Sequence, residues 1–346
     1  MAADENEAGP ATAPVRTLGR SSVPVTALGF GAAAVAGLNG DVGEDEATAA
    51  VEAAWSAGIR YFDTAPHYGV GLSERRLGAV LRAKPRDGFT LSTKVGRVLV
   101  PREGGGDDRA NGFAVPATHT RRWDFSADGV RRSLEDSLTR LGLDRVDLVL
   151  LHDPDDHEEQ AFREAYPALE ELRSQGVVRA IGAGMNQSRM LARFLTDTDV
   201  DAVLCAGRYT LLEQGALDAL LPAAAAGGKS VIVGGVFNSG LLADPTPGAM
   251  YDYKTAPEEL VGRALRMNEV TEAHGVRLRA AALRFPFGHP AVASVLVGAR
   301  SADQVRDAAA QYRRPVPGAV WEALRERGLL PNGVPVPDAR TEGILS

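Results

Sequence analysis

The chain has 346 residues, 45% hydrophobic and 24% charged, enough for one large domain or two ordinary ones and too apolar for a disordered protein. Its 45 acidic against 38 basic side chains, net −7, give no electrostatic ground for a nucleic acid or an anionic membrane as partner. The single Cys205 excludes an intramolecular disulfide, no Cys/His cluster has zinc spacing, and no apolar run approaches the roughly 20 residues that span a bilayer. A cytoplasmic, metal-free protein fits this composition.

Residues 1–15 are acidic and rich in Ala and Pro, without the apolar segment of a secretory signal, and read as a disordered leader. From Val25 on, short apolar runs alternate with longer stretches of helical period, the pattern of parallel βα units. A first strand over Val25–Ala34 precedes a helix over Glu44–Ala57 that Gly58 can cap. Ile59–Asp63 is a second strand, Ser73–Leu81 a helix, and Phe89–Lys94 a third strand followed by a long irregular loop, Gly96–Arg122. Ser126 can N-cap a helix to Leu141, and Val146–His152 reads as a strand buried on both faces.

Helices over Ala161–Ser174, Ser188–Leu195 and Leu217–Ala226 lead in turn to strands Val178–Ala183, Ala202–Ala206 and Ser230–Val233. Helical stretches over Pro257–Ala273 and Arg279–Phe285 precede the last strand, Ser294–Val297, and Ala302–Gln311 closes the series. Eight strands in alternation, with no linker of boundary composition, predict a single-domain α/β protein: one (β/α)8 TIM barrel over residues 16–327 and a C-terminal tail over 328–346. Such a barrel takes about 250 residues, so the surplus falls in the leader, the tail and long loops at the C-terminal face, Gly96–Arg122 and Gly235–Ala256.

Barrel active sites lie at the C-terminal ends of the strands. There Asp63, Lys94 and His152 end three consecutive predicted strands, and Tyr68 follows Asp63 in its loop. Singly, each has an ordinary role: a turn, a surface lysine, a core histidine, a packed loop. Together they suggest one site. A phenol is a poor base at neutral pH, and a neighbouring ammonium lowers its pKa. Lys94 can supply that ammonium, Asp63 can hold it, His152 can bind a substrate oxygen, and Tyr68 becomes a general acid or base.

The run Asp63-Thr64-Ala65-Pro66-His67-Tyr68-Gly69, continuing through Gly71 and Ser73-Glu74-Arg75-Arg76-Leu77-Gly78, resembles the signature of the aldo-keto reductase family. The resemblance extends from about Arg16 to Gln311 and includes Ser92-Thr93-Lys94, Leu150-Leu151-His152 and Gly298-Ala299-Arg300-Ser301. It implies a (β/α)8 barrel, a nicotinamide cofactor (NAD or NADP) and a tetrad of Asp63, Tyr68, Lys94 and His152. Val95-Gly96-Arg97, Trp123-Asp124-Phe125-Ser126, His152-Asp153-Pro154-Asp155-Asp156 and Gly182-Ala183-Gly184-Met185-Asn186 are most similar to the aldose 1-dehydrogenase branch, which includes L-fucose, D-threo-aldose, L-galactose and pyridoxal 4-dehydrogenases. That branch implies oxidation of a cyclic hemiacetal to a lactone, with a sugar-like hemiacetal or aldehyde as substrate.

The family's Ser-Asn pair for the carboxamide corresponds here to Gly184-Met185, its strand-six Gln to Ala206-Gly207, and its stacking aromatic to Gly234. Asn186 is the substitute for the first, with Phe237 packing nearby. Phe237-Asn238-Ser239-Gly240-Leu241-Leu242 resembles the loop whose backbone N–H groups hold the pyrophosphate, and Gly31 allows close backbone approach. Gly298, Arg300, Ser301 and Gln304 match the adenosine end and favour NAD, with dual use open. His67, Trp123, Phe125 and His119 lie in rim loops, the first three as candidates for the substrate pocket. The acidic run Asp153, Asp155, Asp156 with His157 reads as a solvated loop and not a metal site. Other readings of the same residues are an NADPH-dependent carbonyl reductase and, from another class, a cofactor-binding regulatory subunit. The sequence leaves the oligomeric state open.

Overall fold

The computed structural model describes residues 14–252, 254–338 and 341. Eight parallel strands close into a barrel: β1 (Leu28–Gly31), β2 (Tyr61–Asp63), β3 (Thr90–Val95), β4 (Leu148–His152), β5 (Ala180–Met185), β6 (Ala202–Ala206), β7 (Ser230–Gly234) and β8 (Val292–Gly298). Each strand pairs with the next in chain order, and β8 closes on β1 with Gly298 opposite Gly31. Successive strand residues face opposite sides, so one set of alternate residues fills the barrel and the other meets the helices. Tyr61, Leu148, Leu150, Ala180, Ala202, Leu204, Ile232 and Leu296 form the inner cluster. Phe62, Leu91, Val149, Leu151, Ile181, Val203, Val231 and Val295 belong to the larger cluster shared with the surrounding helices.

Those helices are α1 (Glu44–Ser56), α2 (Leu72–Leu81), α3 (Ala127–Leu141), α4 (Tyr166–Ser174), α5 (Ser188–Asp197), α6 (Leu220–Gly227), α7 (Glu258–Ala273), α8 (Leu278–Arg284), α9 (Ala302–Arg313) and α10 (Gly318–Glu326). Ser126 caps α3 as expected, its hydroxyl accepting from the Gly129 N–H at 3.0 Å. Between α2 and α3 the helices nearly touch. A Cβ built on Gly78 would lie 2.0 Å from the Leu141 carbonyl oxygen, a separation only glycine permits. Gly78→Ala is therefore expected to lower stability by about 1–3 kcal/mol through overpacking against backbone, read as a reduced denaturant midpoint.

Several expectations need correction. The first strand splits at Ala27, because Pro24–Thr26 pairs with Val15–Thr17 as an antiparallel ribbon whose Val25, with the adjoining Leu18 and Val23, plugs the N-terminal mouth of the barrel. The ordered chain thus includes Val15, at the end of the expected leader; residues 1–13 lie outside those described. The Gly96–Arg122 segment is not irregular throughout: Arg97–Pro101 and His119–Trp123 pair antiparallel. Over residues 329–336 the chain folds back on the barrel, with Leu329, Leu330 and Val334 buried. Among the described residues no helix is long and apolar enough to cross a membrane.

Candidate active site

The inward row of each strand continues to its C-terminal end, and what it carries there divides the rim in two. On β2, β3 and β4 the last inward residues are Asp63, Lys94 and His152, two positions beyond Tyr61, Ser92 and Leu150. On β5, β6, β7, β8 and β1 they are Gly184, Ala206, Gly234, Gly298 and Gly31. One side of the mouth bears ionisable groups, and the other bears almost no side chains.

Lys94 is 1% exposed and uses all three ammonium protons. It donates to the Asp63 carboxylate at 2.6 Å, to the Thr64 carbonyl at 3.0 Å and to the Tyr68 hydroxyl at 3.0 Å. Burial draws the ammonium pKa down, but the charges of Asp63 and Tyr68 and the bonds to both outweigh it, so it lies above the ordinary lysine value. Asp63, 3% exposed, is held from the other side by the Ser92 hydroxyl at 2.7 Å. The rest of the Asp63–Gly78 run supports this geometry. Ser73 bonds Thr64 and the Ala32 carbonyl, and buried Glu74 accepts from Thr93 and from Arg140. Arg76 ties the Val35 and Val42 carbonyls and Glu44.

His152 meets the Tyr68 ring edge-on at 5.7 Å and His67 at 5.6 Å. Burial, then the positive charges of Arg97 and Lys94, hold His152 well below the ordinary histidine pKa. Burial, followed by Arg97, Arg121 and Lys94, takes His67 down to about 2. The Nδ1 atoms of both rings are buried without a partner. The Asp153 carboxylate 3.6 Å from the His152 Nε2 favours the proton of the neutral ring on that nitrogen. Two histidines kept neutral in the fold but free to protonate when unfolded make acid destabilising. Below pH 6.5 the unfolded chain binds more protons, so each lowers stability by about 1.4 kcal/mol per pH unit, with no loss above that range. Urea unfolding between pH 8 and 5 checks this, and His67→Phe should flatten the acid limb.

Two connected cavities open on these groups. One, about 610 Å³, runs over the small-residue side, lined by Gly31, Asp63, Tyr68, Asn186, Ala206 and Gly234, then Phe237, Ser239 and Gly240, and at its far end Gly298, Arg300 and Gln304. The other, about 910 Å³, lies over the ionisable side, between His67, Tyr68, Lys94 and His152 and a wall of Arg97, Asn111, Phe113 and Asp153. Tyr68, Asn186 and Ala206 border both.

Four expected site residues lie off these walls. Leu241 is fully buried in the core, and its N–H bonds the Asn238 carbonyl at 3.2 Å, as those of Gly240 and Leu242 bond Phe237; the turn spends these donors on itself. Ser301 caps α9 by accepting from the Gln304 N–H. Phe125 is fully buried under Gly96, where a Cβ would come within 2.1 Å of its ring, and Gly96 turns there with φ +98°. Trp123, paired with Arg97 across the ribbon, stands 42% exposed with its ring 4.2 Å from the Arg97 guanidinium and lines neither cavity. The wall residues missed in their place, Asn111 and Phe113, are carried in by the ribbon's return and by a bridge from Leu38 to Phe113. His119 bonds Thr118 in the ribbon. Among the described residues no group of three or more His, Cys, Asp or Glu is disposed to hold a metal.

The chain is 46% identical to a D-threo-aldose 1-dehydrogenase of a Pseudomonas species over 317 residues, 90% of this chain and 96% of the relative. It is 38% identical to a pyridoxal 4-dehydrogenase of Microbacterium luteolum over 91% of this chain and 97% of that one. Among solved structures, an aldo-keto reductase of Bacillus halodurans in its holo form superposes with a TM-score of 0.74 at 26% identity, covering 95% of this chain and 99% of its own. The Aldo/keto reductase family model matches residues 27–327, from the strand before the ionisable rim to the last helix. A lysine-clamped phenol at a barrel mouth and a match along nearly the whole chain converge: this protein is an oxidoreductase of the aldo/keto reductase family.

Proposed function

We propose that the protein oxidises the anomeric carbon of an aldose or similar cyclic hemiacetal to a lactone by hydride transfer to a nicotinamide dinucleotide, NAD in preference to NADP. The observation that carries this reading is the Lys94 ammonium, bonded at once to Asp63 and to the Tyr68 hydroxyl that faces both cavities. The similarity to a D-threo-aldose 1-dehydrogenase supports the substrate class and the direction.

The small-residue cavity fits an elongated cofactor. Gly31, Gly234 and Gly298 leave its floor without side chains, and a Cβ built on them would meet only neighbouring wall atoms, of Leu296, Leu204 and Ala34, at 3.3–3.8 Å. Asn186, beside Tyr68 at the cavity's inner end, offers both a donor and an acceptor for a carboxamide. Gly31, Phe237, Ser239 and Gly240 would lie along the middle of the molecule, and Gly298, Arg300 and Gln304 at its adenosine end. That end bears Arg279 and Arg300 but also Asp303 and Asp307, with Arg279 paired to Asp307 at 3.0 Å. Balanced charge there favours an uncharged ribose hydroxyl over a phosphate dianion.

Tyr68 takes the proton of the anomeric hydroxyl. Lys94 stabilises the phenolate that results, while Asp63 keeps the ammonium charged and aimed. The Nε2–H of neutral His152 donates to the same substrate oxygen and orients it. When bound, the nicotinamide supplies the acceptor for the hydride leaving that carbon. His67 and Phe113 wall the sugar side, their rings packed at 5.4 Å.

Absorbance at the reduced-nicotinamide band, followed across aldoses, pyridoxal and simple carbonyls with NAD and NADP, tests the reading. Lactone formed from an aldose with NAD is the expected result. Reduction of carbonyls with NADPH and no aldose oxidation would make the protein a carbonyl reductase instead. Cofactor binding without turnover of any of these compounds would make it a regulatory subunit.

A further inference from the structure

The wall of the larger cavity carries a charged pair that the proton-transfer scheme does not use. Arg97 follows the turn at Gly96, and its guanidinium lies 4.2 Å over the Trp123 ring with the side chain only 11% exposed. Its Nη2 pairs with the carboxylate of Asp153, and its Nε is buried without a partner. Asp153 is the residue after His152. It is held at φ +44°, a left-handed conformation that costs a non-glycine residue about 1–3 kcal/mol. Its carboxylate, 30% exposed, stands 3.6 Å from the His152 Nε2. Both residues line the cavity that Tyr68 and Lys94 face.

We propose that the Arg97–Asp153 pair is a specificity determinant that grips the substrate hydroxyl next to the reacting carbon, making the site selective for uncharged α-hydroxy hemiacetals and aldehydes. This rests on the reading of His152 as the group that meets the reacting oxygen. With that oxygen at Nε2, the carboxylate beside it lies where the hydroxyl of the adjacent carbon would come. A hydroxyl donates one hydrogen bond and accepts others, and the pair offers a carboxylate acceptor and guanidinium donors side by side. The opposed charges leave no net attraction for an anionic sugar. An alkyl substrate would strip water from the pair and return nothing, and that loss is the source of discrimination. Trp123 and Phe125 act at one remove, as positioning residues that back the guanidinium and seat the Gly96 turn.

Steady-state constants for an aldose and its 2-deoxy counterpart in oxidation, and for lactaldehyde and propanal in reduction, test the pair in the wild-type protein, Arg97→Met and Asp153→Asn. The wild type is expected to favour the hydroxylated member of each couple by about tenfold or more in kcat/KM, as one hydrogen bond to a charged group allows. Each substitution should collapse that ratio, mainly by raising KM for the hydroxylated member, and the double variant should lose little beyond either single one. Calorimetric titration with an aldonolactone and its 2-deoxy analogue repeats the comparison without turnover. A wild-type protein indifferent to the 2-hydroxyl would overturn the proposal with no variant needed, as would a preference that survives in folded Arg97→Met. If no aldose is oxidised but lactaldehyde is preferred to propanal and the preference vanishes in Arg97→Met, the oxidation reading fails and the pair stands. Aldose oxidation blind to the 2-hydroxyl does the opposite: oxidation stands and the role of the pair fails.

Discussion

Tyr68→Phe is expected to lower kcat for aldose oxidation by about 10²- to 10⁴-fold, the range set by losing a positioned acid or base. The substitution removes one oxygen and leaves the ring packed on Phe113 and His152. Lys94 keeps its bonds to Asp63 and to the Thr64 carbonyl, so the ion pair and the fold survive. Cofactor affinity, measured by fluorescence titration, should change far less than kcat. Equal losses in both would mean that the hydroxyl serves binding and not proton transfer.

Lys94→Met should combine a comparable loss of activity with a large loss of stability, about 3–5 kcal/mol. Asp63 is 3% exposed, and without the ammonium its carboxylate would keep only the Ser92 hydroxyl. A buried charge stripped of its partner is the costly case, whereas removing both charges is cheap. Lys94→Met combined with Asp63→Asn is therefore expected to recover most of the stability and none of the activity. Denaturant midpoints for the two single variants and the double variant check this. A Lys94→Met protein as stable as the wild type would contradict the account of the clamp.

The ionisable side of the rim was legible because it is written in a period of two. Residues 61 and 63, 92 and 94, and 148, 150 and 152 lie on short apolar strands, and alternation sends them all inward. The small-residue side follows the same rule. Ala206 and Gly234 read in sequence as departures from the family's contact residues, and in the structure they lie on the floor of the smaller cavity, while Gly184, a third departure, lines the larger one. What resisted reading were positions set by long-range pairing. Whether Trp123 faces the cavity or the solvent depends on the ribbon that Arg97–Pro101 forms with His119–Trp123, and no local pattern in a segment rich in Gly, Pro and charge marks its register. Phe113 arrives at the wall the same way, through Leu38. Leu241 failed for another reason: its sequence suits a turn with free N–H groups, but the turn closes on its own carbonyls.

Hydride transfer from the anomeric carbon, with Tyr68 moving the proton, is the central claim, and a substrate labelled at that carbon tests it most directly. With a [1-²H]aldose and NAD, deuterium should appear in the reduced nicotinamide and not in the product lactone, and Tyr68→Phe should slow its appearance by about 10²-fold or more. Deuterium retained in the sugar, or transfer at an undiminished rate in Tyr68→Phe, would contradict it.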